Sequence, residues 1–281
     1  MRGPKKWTEQ TIERYLKEGR GKGEGPNYKP WLNVGEFSSR GRVHRIRGLK
    51  TNREHQLFSD VERDLFMLLE WSADVTDIRE QFPLDRDLTM EIAAAHGIKH
   101  PYYPGTQTPA VMTTDFLVTK IYNGHPVLVA FNAKTTTEAE DARSLEKLEI
   151  HRLYWDGMGF AHHVVFDSTI PKVMTRNIEW IRGAQLKDGE RETYPGFFNE
   201  YARRMTDELV LRQRNDTLSG YCEKFDIKHG LEPGTGLRVA RLLMQSRVLM
   251  PDLNEPSLPA CPLQAYKVTA SVGQLRLVGG N

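Results

Sequence analysis

The sequence predicts a mixed α/β domain over residues 1–168, followed by a mostly helical, winged-helix-like domain over residues 169–281. Three observations carry this. Two apolar runs, 111–122 and 127–134, flank Asn123-Gly124, a strong hairpin signal. Around them the elements follow the order strand, hairpin, helix, strand, which is the pattern of a mixed sheet covered by helices. After residue 168 the pattern changes to helices and ends in short strand-like pieces. The 281 residues are enough for one or two well-cored domains.

Taken in order, residues 8–18 read as a helix with Thr8 as its N-cap. Residues 19–25 (GRGKGEG) read as a linker, or as a loop that contacts phosphate; they lack the Lys-Ser/Thr ending of a P-loop. Residues 42–58 alternate basic and apolar positions around Val43, Ile46, Leu49 and Leu57, as strands or extended loops. Residues 59–71 form a helix that Ser59 caps, with Glu62 at capping-box spacing. A strand covers 75–84, and 85–110 is irregular apart from a short helix near 90–95. A charged helix over 137–155 takes Leu145, Leu148 and Leu153 as its apolar seam, and a further strand covers 161–167. Helices are expected at 171–183, 197–214 and 235–247, with strand-like pieces at 248–253 and 266–268.

Composition narrows the function. Hydrophobic residues make up 39% and charged residues 27%, and no apolar run is long enough to cross a bilayer. MRGPKKWTEQ has no secretory apolar core, so a cytoplasmic protein is expected. Cys222 and Cys261 have no neighbours at zinc spacing and suggest no disulfide framework. The net charge of +2 conceals an asymmetry, because residues 1–53 hold 14 Lys or Arg against 5 Asp or Glu. Such a segment is the footprint of a polyanion-binding surface, or a solvated basic arm. Arg40, Arg42, Arg45 and Arg47 are the expected phosphate contacts.

The hairpin carries the chemistry. With a loop of two or four residues, Asp115, Asn132 and Lys134 fall on one face, because paired positions share a face and neighbours alternate. By themselves Asp115 and Lys134 can be a structural ion pair. Glu62 adds a second carboxylate on a helix face whose neighbours are Leu65, Phe66 and Leu69; the capping box alone would also account for it. Together the groups suit metal-assisted phosphodiester hydrolysis. Magnesium takes few carboxylates, here Glu62 and Asp115, with the Asn132 carbonyl as a neutral ligand. Lys134 would orient or help deprotonate water, or balance phosphate charge.

A glutamate on a helix, then TTDFLV, then FNAK resembles the acidic and Lys signature of the restriction-endonuclease-like fold. The longer runs KEGRGKG, YKPWLNV, SRGRVHRI, FSDVE, DIREQFPL, GIKHP and NIEW make the chain, from about residue 10 to residue 182, similar to TnsA-type transposase endonucleases. The resemblance places the family's catalytic glutamate, aspartate and lysine on Glu62, Asp115 and Lys134. Where the fold commonly has Gln or Glu, this chain has Asn132, one methylene shorter; Glu149 is a possible further acid. The resemblance implies a Mg²⁺-dependent subunit, with Mn²⁺ able to substitute, that cuts the 5′ ends of a transposon in double-stranded DNA. It implies a TnsB-type recombinase as partner, and a TnsC-type AAA+ ATPase that contacts the C-terminal domain. The alternatives are another nuclease of the same fold, such as a restriction enzyme or junction resolvase, and an inert DNA-binding regulatory subunit.

Other signals point elsewhere. His96 and His100 have zinc-helix spacing, but Gly97 and Pro101 make that stretch a loop. His162 and His163 are adjacent in a strand and face opposite ways, so they cannot form one site. Trp71, Trp155 and Trp180 end apolar helix faces and read as core. Arg238, Arg241 and Gln245 share a helix face that could read DNA, contact a partner or simply be solvated.

Overall fold

The computed structural model of the chain describes residues 7–36, 41–210 and 216–269, and divides it into two compact units, Met1–Ile170 and Pro171–Asn281. Arg40 lies outside the described residues.

In the first unit, α1 (Glu9–Lys17) begins where Thr8 accepts a hydrogen bond from the Thr11 amide. It buries Ile12 and Tyr15 in a small aromatic cluster with Trp7, Trp31 and Tyr103. The glycine-rich loop after it is neither a free linker nor an open phosphate cradle. Arg20 pairs with Glu36 at 2.6 Å and donates to the Trp31 carbonyl, and the Gly21 amide donates to Lys29 O. The basic stretch over 42–58 folds as an antiparallel hairpin of β1 (His44–Arg47) and β2 (Glu54–Leu57).

The central sheet has the order β3-β4-β5-β6, built from β3 (Val75–Pro83), β4 (Thr113–Tyr122), β5 (His125–Lys134) and β6 (Ala161–Phe166). The first two pairings are antiparallel and β5 runs parallel to β6. α2 (Asp60–Trp71) lies on one face, where Phe66 stacks on Phe116. α3 (Arg86–Ala95) and α4 (Ala142–Gly157) cover the other, where Leu117 and Ala130 pack with Ile150, Tyr154 and Trp155. The buried seam of α4 differs from the expected leucine seam. Leu148, Ile150, His151, Tyr154 and Trp155 are buried, whereas Leu145 is exposed, because the helix begins only at Ala142 after a separate 3-10 turn over Thr136–Ala139.

The second unit holds α5 (Lys172–Arg182), α6 (Phe197–Val210), α7 (Leu218–His229) and α8 (Thr235–Gln245). A ribbon of β7 (Leu249–Met250) and β8 (Lys267–Val268) completes it. α7 was not anticipated from the sequence. Its Asp226 accepts from the Gly234 and Gly236 amides and thereby caps α8. A side chain at Gly236 would come within 2.8 Å of the Cys222 carbonyl, so the two helices cross at glycine. Helix, turn, helix and ribbon in this order match the winged-helix-like expectation.

The arginine face of α8 is consumed inside the unit. Arg238 pairs with Glu190 at 2.5 Å and donates to the Ala184 carbonyl. Arg241 donates to the Trp180 carbonyl at 2.8 Å and lies over that indole, and Gln245 accepts from Gln185. These contacts hold the unit together, so the face is neither a free DNA-reading surface nor a merely solvated one.

Candidate active site

The hairpin between β4 and β5 sets the geometry. Asn123 and Gly124 both sit in the left-handed region, at φ 49 and 80, which is what a two-residue turn with the twist of the strands requires. Tyr122 pairs with His125 and the ladder continues to Phe116 opposite Phe131. Continued one step, this register sets Asp115 opposite Asn132. The Asp115 carboxylate accepts from the Ala133 amide at 2.8 Å, and the Lys134 ammonium stands 4.0 Å from the same Oδ2. Asp115, Asn132, Lys134, Glu138, Lys147 and His151 line one depression of about 290 Å³.

Glu62 approaches from the helical side. Ser59 caps α2 by accepting from the Glu62 amide, and its hydroxyl donates to Glu62 Oε1. The other oxygen, Oε2, accepts from the Phe58 amide at 3.0 Å and from Gln81 at 3.3 Å. The expected capping box is therefore present in altered form, with the amide before the N-cap as donor. Burial, and then the charge of Asp115, raise the Glu62 pKa against these bonds and against Lys134. Glu62 and Asp115 thus repel each other, and the Lys134 ammonium partly offsets both. Lys134 is in turn raised, first by Asp115 and then, against burial, by Glu138 and Glu62, so it stays charged. Among the described residues no three His, Cys, Asp or Glu side chains converge on a metal position. A small hard cation fits the set that is present: it would relieve the Glu62–Asp115 repulsion, with water and few protein oxygens completing its shell.

Other expected residues fall less simply. Asn132 is buried, but its Oδ1 is already engaged by His162 Nε2 at 2.8 Å. Glu149 does not join the site. It pairs with Arg152 at 2.7 Å on the surface of α4, while Ser144, Lys147, Leu148 and His151 are the α4 residues that line the depression. Helical periodicity puts Glu149 off that face. The nearby acid is Glu138, 3.9 Å from Lys134, which the capping box with Thr135 holds in the 3-10 turn.

Two residues of the site escape sequence reasoning. Gln81 lies in β3 with φ 48, donates to Glu62 and accepts from Thr113. A glutamine in a left-handed conformation leaves no trace in sequence. His163 packs against Phe131 with tilted rings, and His162 turns the other way, toward Asn132. The two histidines indeed share no site, but one of them faces this one.

The basic hairpin presents Arg45 and Arg47 on its exposed side, and Arg42 is exposed just before it. Arg45 donates to the Val34 carbonyl and Arg47 to Asn52. Arg53, counted in the same basic segment, is buried against Glu80.

A mixed four-stranded sheet flanked by helices, with Asp115 and Lys134 on its hairpin, is consistent with a DNA endonuclease of restriction-endonuclease-like architecture. The comparisons then give the family. The family model for the TnsA-like endonuclease N terminal matches residues 72–167, which include Asp115, Asn132 and Lys134 but not Glu62. The model for the TnsA endonuclease C terminal matches residues 169–253. Transposon Tn7 transposition protein TnsA of Escherichia coli is 39% identical over 238 residues, 84% of either chain. The chain belongs to the TnsA family and is the endonuclease subunit of a transposase. Among the described residues no helix is long and apolar enough to cross a membrane.

Proposed function

We propose that this chain cuts the strands that carry the 5′ ends of its transposon, with Mg²⁺ held by Glu62 and Asp115 and with Mn²⁺ able to replace it. The reading rests above all on the buried Glu62 carboxylate, which feels the charge of Asp115 and is partly offset by Lys134. When bound, the ion would lower the pKa of a water and neutralise charge on the phosphate. Asp115 is fixed by the Ala133 amide and Glu62 by Ser59 and Phe58, so neither has to reorganise to receive a cation. Lys134, kept as an ammonium, donates to a phosphate oxygen or to the attacking water. Arg42, Arg45 and Arg47 hold the DNA backbone, and Arg40 is included on sequence grounds alone. A TnsB-type recombinase would cut and join the 3′ ends, and a TnsC-type ATPase would dock on the second unit.

The test is a strand-specific nicking assay on double-stranded transposon ends, with and without the recombinase and ATPase subunits. The expected outcome is 5′-strand cleavage that needs the divalent ion and the partners. Cutting of an isolated short duplex motif by this chain alone would favour a restriction-type nuclease instead. Removing residues 171–281 should spare Mg²⁺ binding by the first unit and abolish regulated cutting.

A further inference from the structure

The sheet places His162 beside Asn132, and the Asn132 amide oxygen faces the imidazole. β5 and β6 run parallel with His162 aligned to Ala130, so His162 lies on the face that carries Ala130 and Asn132. Its Nε2 is 2.8 Å from Asn132 Oδ1. An amide oxygen only accepts, so the imidazole carries its proton on Nε2 and donates. The two ends of a primary amide are nearly alike in shape, and hydrogen bonds alone choose between them. Asn132 lines the depression with Asp115 and Lys134. Among the described residues no group accepts from Asn132 Nδ2, and this nitrogen is not one of the buried polar atoms sealed off without a partner. His162 is itself held in place. Its ring stacks on His151 at 5.9 Å, His151 meets the Thr114 hydroxyl at 3.2 Å, and the Trp155 indole donates to that hydroxyl at 2.9 Å.

We propose that His162 is a positioning residue that claims the Asn132 oxygen, so that the amide N–H₂ faces the depression as a donor to a phosphate oxygen of bound DNA. This replaces the role of Asn132 as a metal ligand, and it rests on the reading of Glu62, Asp115 and Lys134 as a nuclease site. The short side chain is part of the device. Asn is one methylene shorter than the Gln or Glu common at this position, which keeps the amide close to the sheet, within reach of β6. A neutral donor beside Lys134 then adds a second hydrogen bond to the developing charge without adding another cation.

Two measurements test it: calorimetric titration of the full chain with Mg²⁺, and 5′-strand nicking with the complete set of transposase subunits. Asn132→Ala should bind Mg²⁺ as the parent does, while its cutting falls by about 10–100-fold. His162→Phe should lose cutting to the same extent, and His162→Gln, which keeps an N–H donor, should recover most of it. In the Asn132→Ala background, His162→Phe should cost nothing more, whereas a merely structural histidine would still cost as much as in the parent. Weaker Mg²⁺ binding by about tenfold in Asn132→Ala would make the oxygen a ligand and overturn the proposal, even if His162→Phe failed to fold. Asp115→Ala separates the two levels. Full cutting by that variant would sink the nuclease site itself, whereas an inactive Asp115→Ala beside a Mg²⁺-weakened Asn132→Ala would sink only the role given to His162.

Discussion

Two buried glutamates of the same unit show opposite electrostatics. Glu80, on β3, is fully buried; it pairs with Arg53 at 2.5 Å and His55 at 2.8 Å, and accepts from the Gln56 amide. Burial works against its charge, yet His55 and Arg53 outweigh burial and hold its pKa at about 2. Glu62, on α2, is nearly as buried, but the strongest charge acting on it is that of another carboxylate, Asp115, and its pKa is raised. One acid has its counter-charges built into the fold. The other, also enclosed, meets a second carboxylate and is only partly offset by Lys134. A buried acid pair whose charge is only partly offset is costly to keep, and such arrangements cluster at functional sites.

The largest expected effect breaks the comparison on the functional side. Asp115→Ala removes the carboxylate that repels Glu62, and cutting should fall by several orders of magnitude while DNA binding persists. Lys134→Ala should also abolish cutting but keep most metal binding, since an ammonium is not a ligand. Nicking and filter binding on the same preparations read both. Parental cutting by Asp115→Ala would place the chemistry elsewhere.

The structural side should fail by a different route. Arg53→Ala strands Glu80 in the interior and should destabilise the fold by about 3–5 kcal/mol in denaturant unfolding. The pH dependence has a definite sign. The folded pKa of Glu80 is depressed from 4.5 to about 2, so its contribution, on the order of 3 kcal/mol, is complete above about pH 4.5. It disappears as pH falls through about 2. Glu62 has the reverse linkage. Its folded pKa is raised, so the native state holds the proton more tightly, and ionisation costs stability as pH rises past the ordinary carboxylate range. Glu62→Gln should therefore leave the melting temperature at neutral pH unchanged or higher, since Gln can still serve the cap, while cutting is lost. A marked fall in melting temperature would make Glu62 a structural residue like Glu80.

How much of this was legible follows from which interactions are local. The Asn-Gly turn sets the hairpin register by itself, and with it the grouping of Asp115, Asn132 and Lys134. Ser59 and Glu62 are likewise within one helical turn. The Glu80–Arg53–His55 cluster was not foreseen, because it joins strands 25 to 27 positions apart, and nothing local marks Glu80 as buried. A separation of 30 positions likewise hid His162 from Asn132. Glu149 misled because its place in the sequence said nothing of which way α4 would roll. The charge count over residues 1–53 misled in a related manner. It treats every Arg as available, although Arg20 and Arg53 neutralise acids of their own domain.

The smallest and most selective effect is expected at the β1–β2 hairpin. Arg45 and Arg47 stand on the exposed side of the β1–β2 hairpin, and Arg53 ends the same basic segment in the core. If the exposed pair contacts phosphates, replacing both with Ala should flatten log affinity against log salt by roughly one unit per contact, or about two in all. Arg45 bonds to Val34 O and pairs with exposed Glu54, and Arg47 bonds to Asn52, all near the surface, so stability should change by no more than about 0.5 kcal/mol. Arg53→Ala should show the converse, a large loss of stability and an unaltered salt slope in whatever fraction remains folded. Binding measured from low to moderate salt on both variants decides the matter. An unchanged slope for the Arg45/Arg47 pair would remove the hairpin from the DNA interface. A reduced slope for Arg53→Ala would mean that the buried guanidinium senses the DNA through the fold, and that the segment's charge cannot be divided between structure and binding.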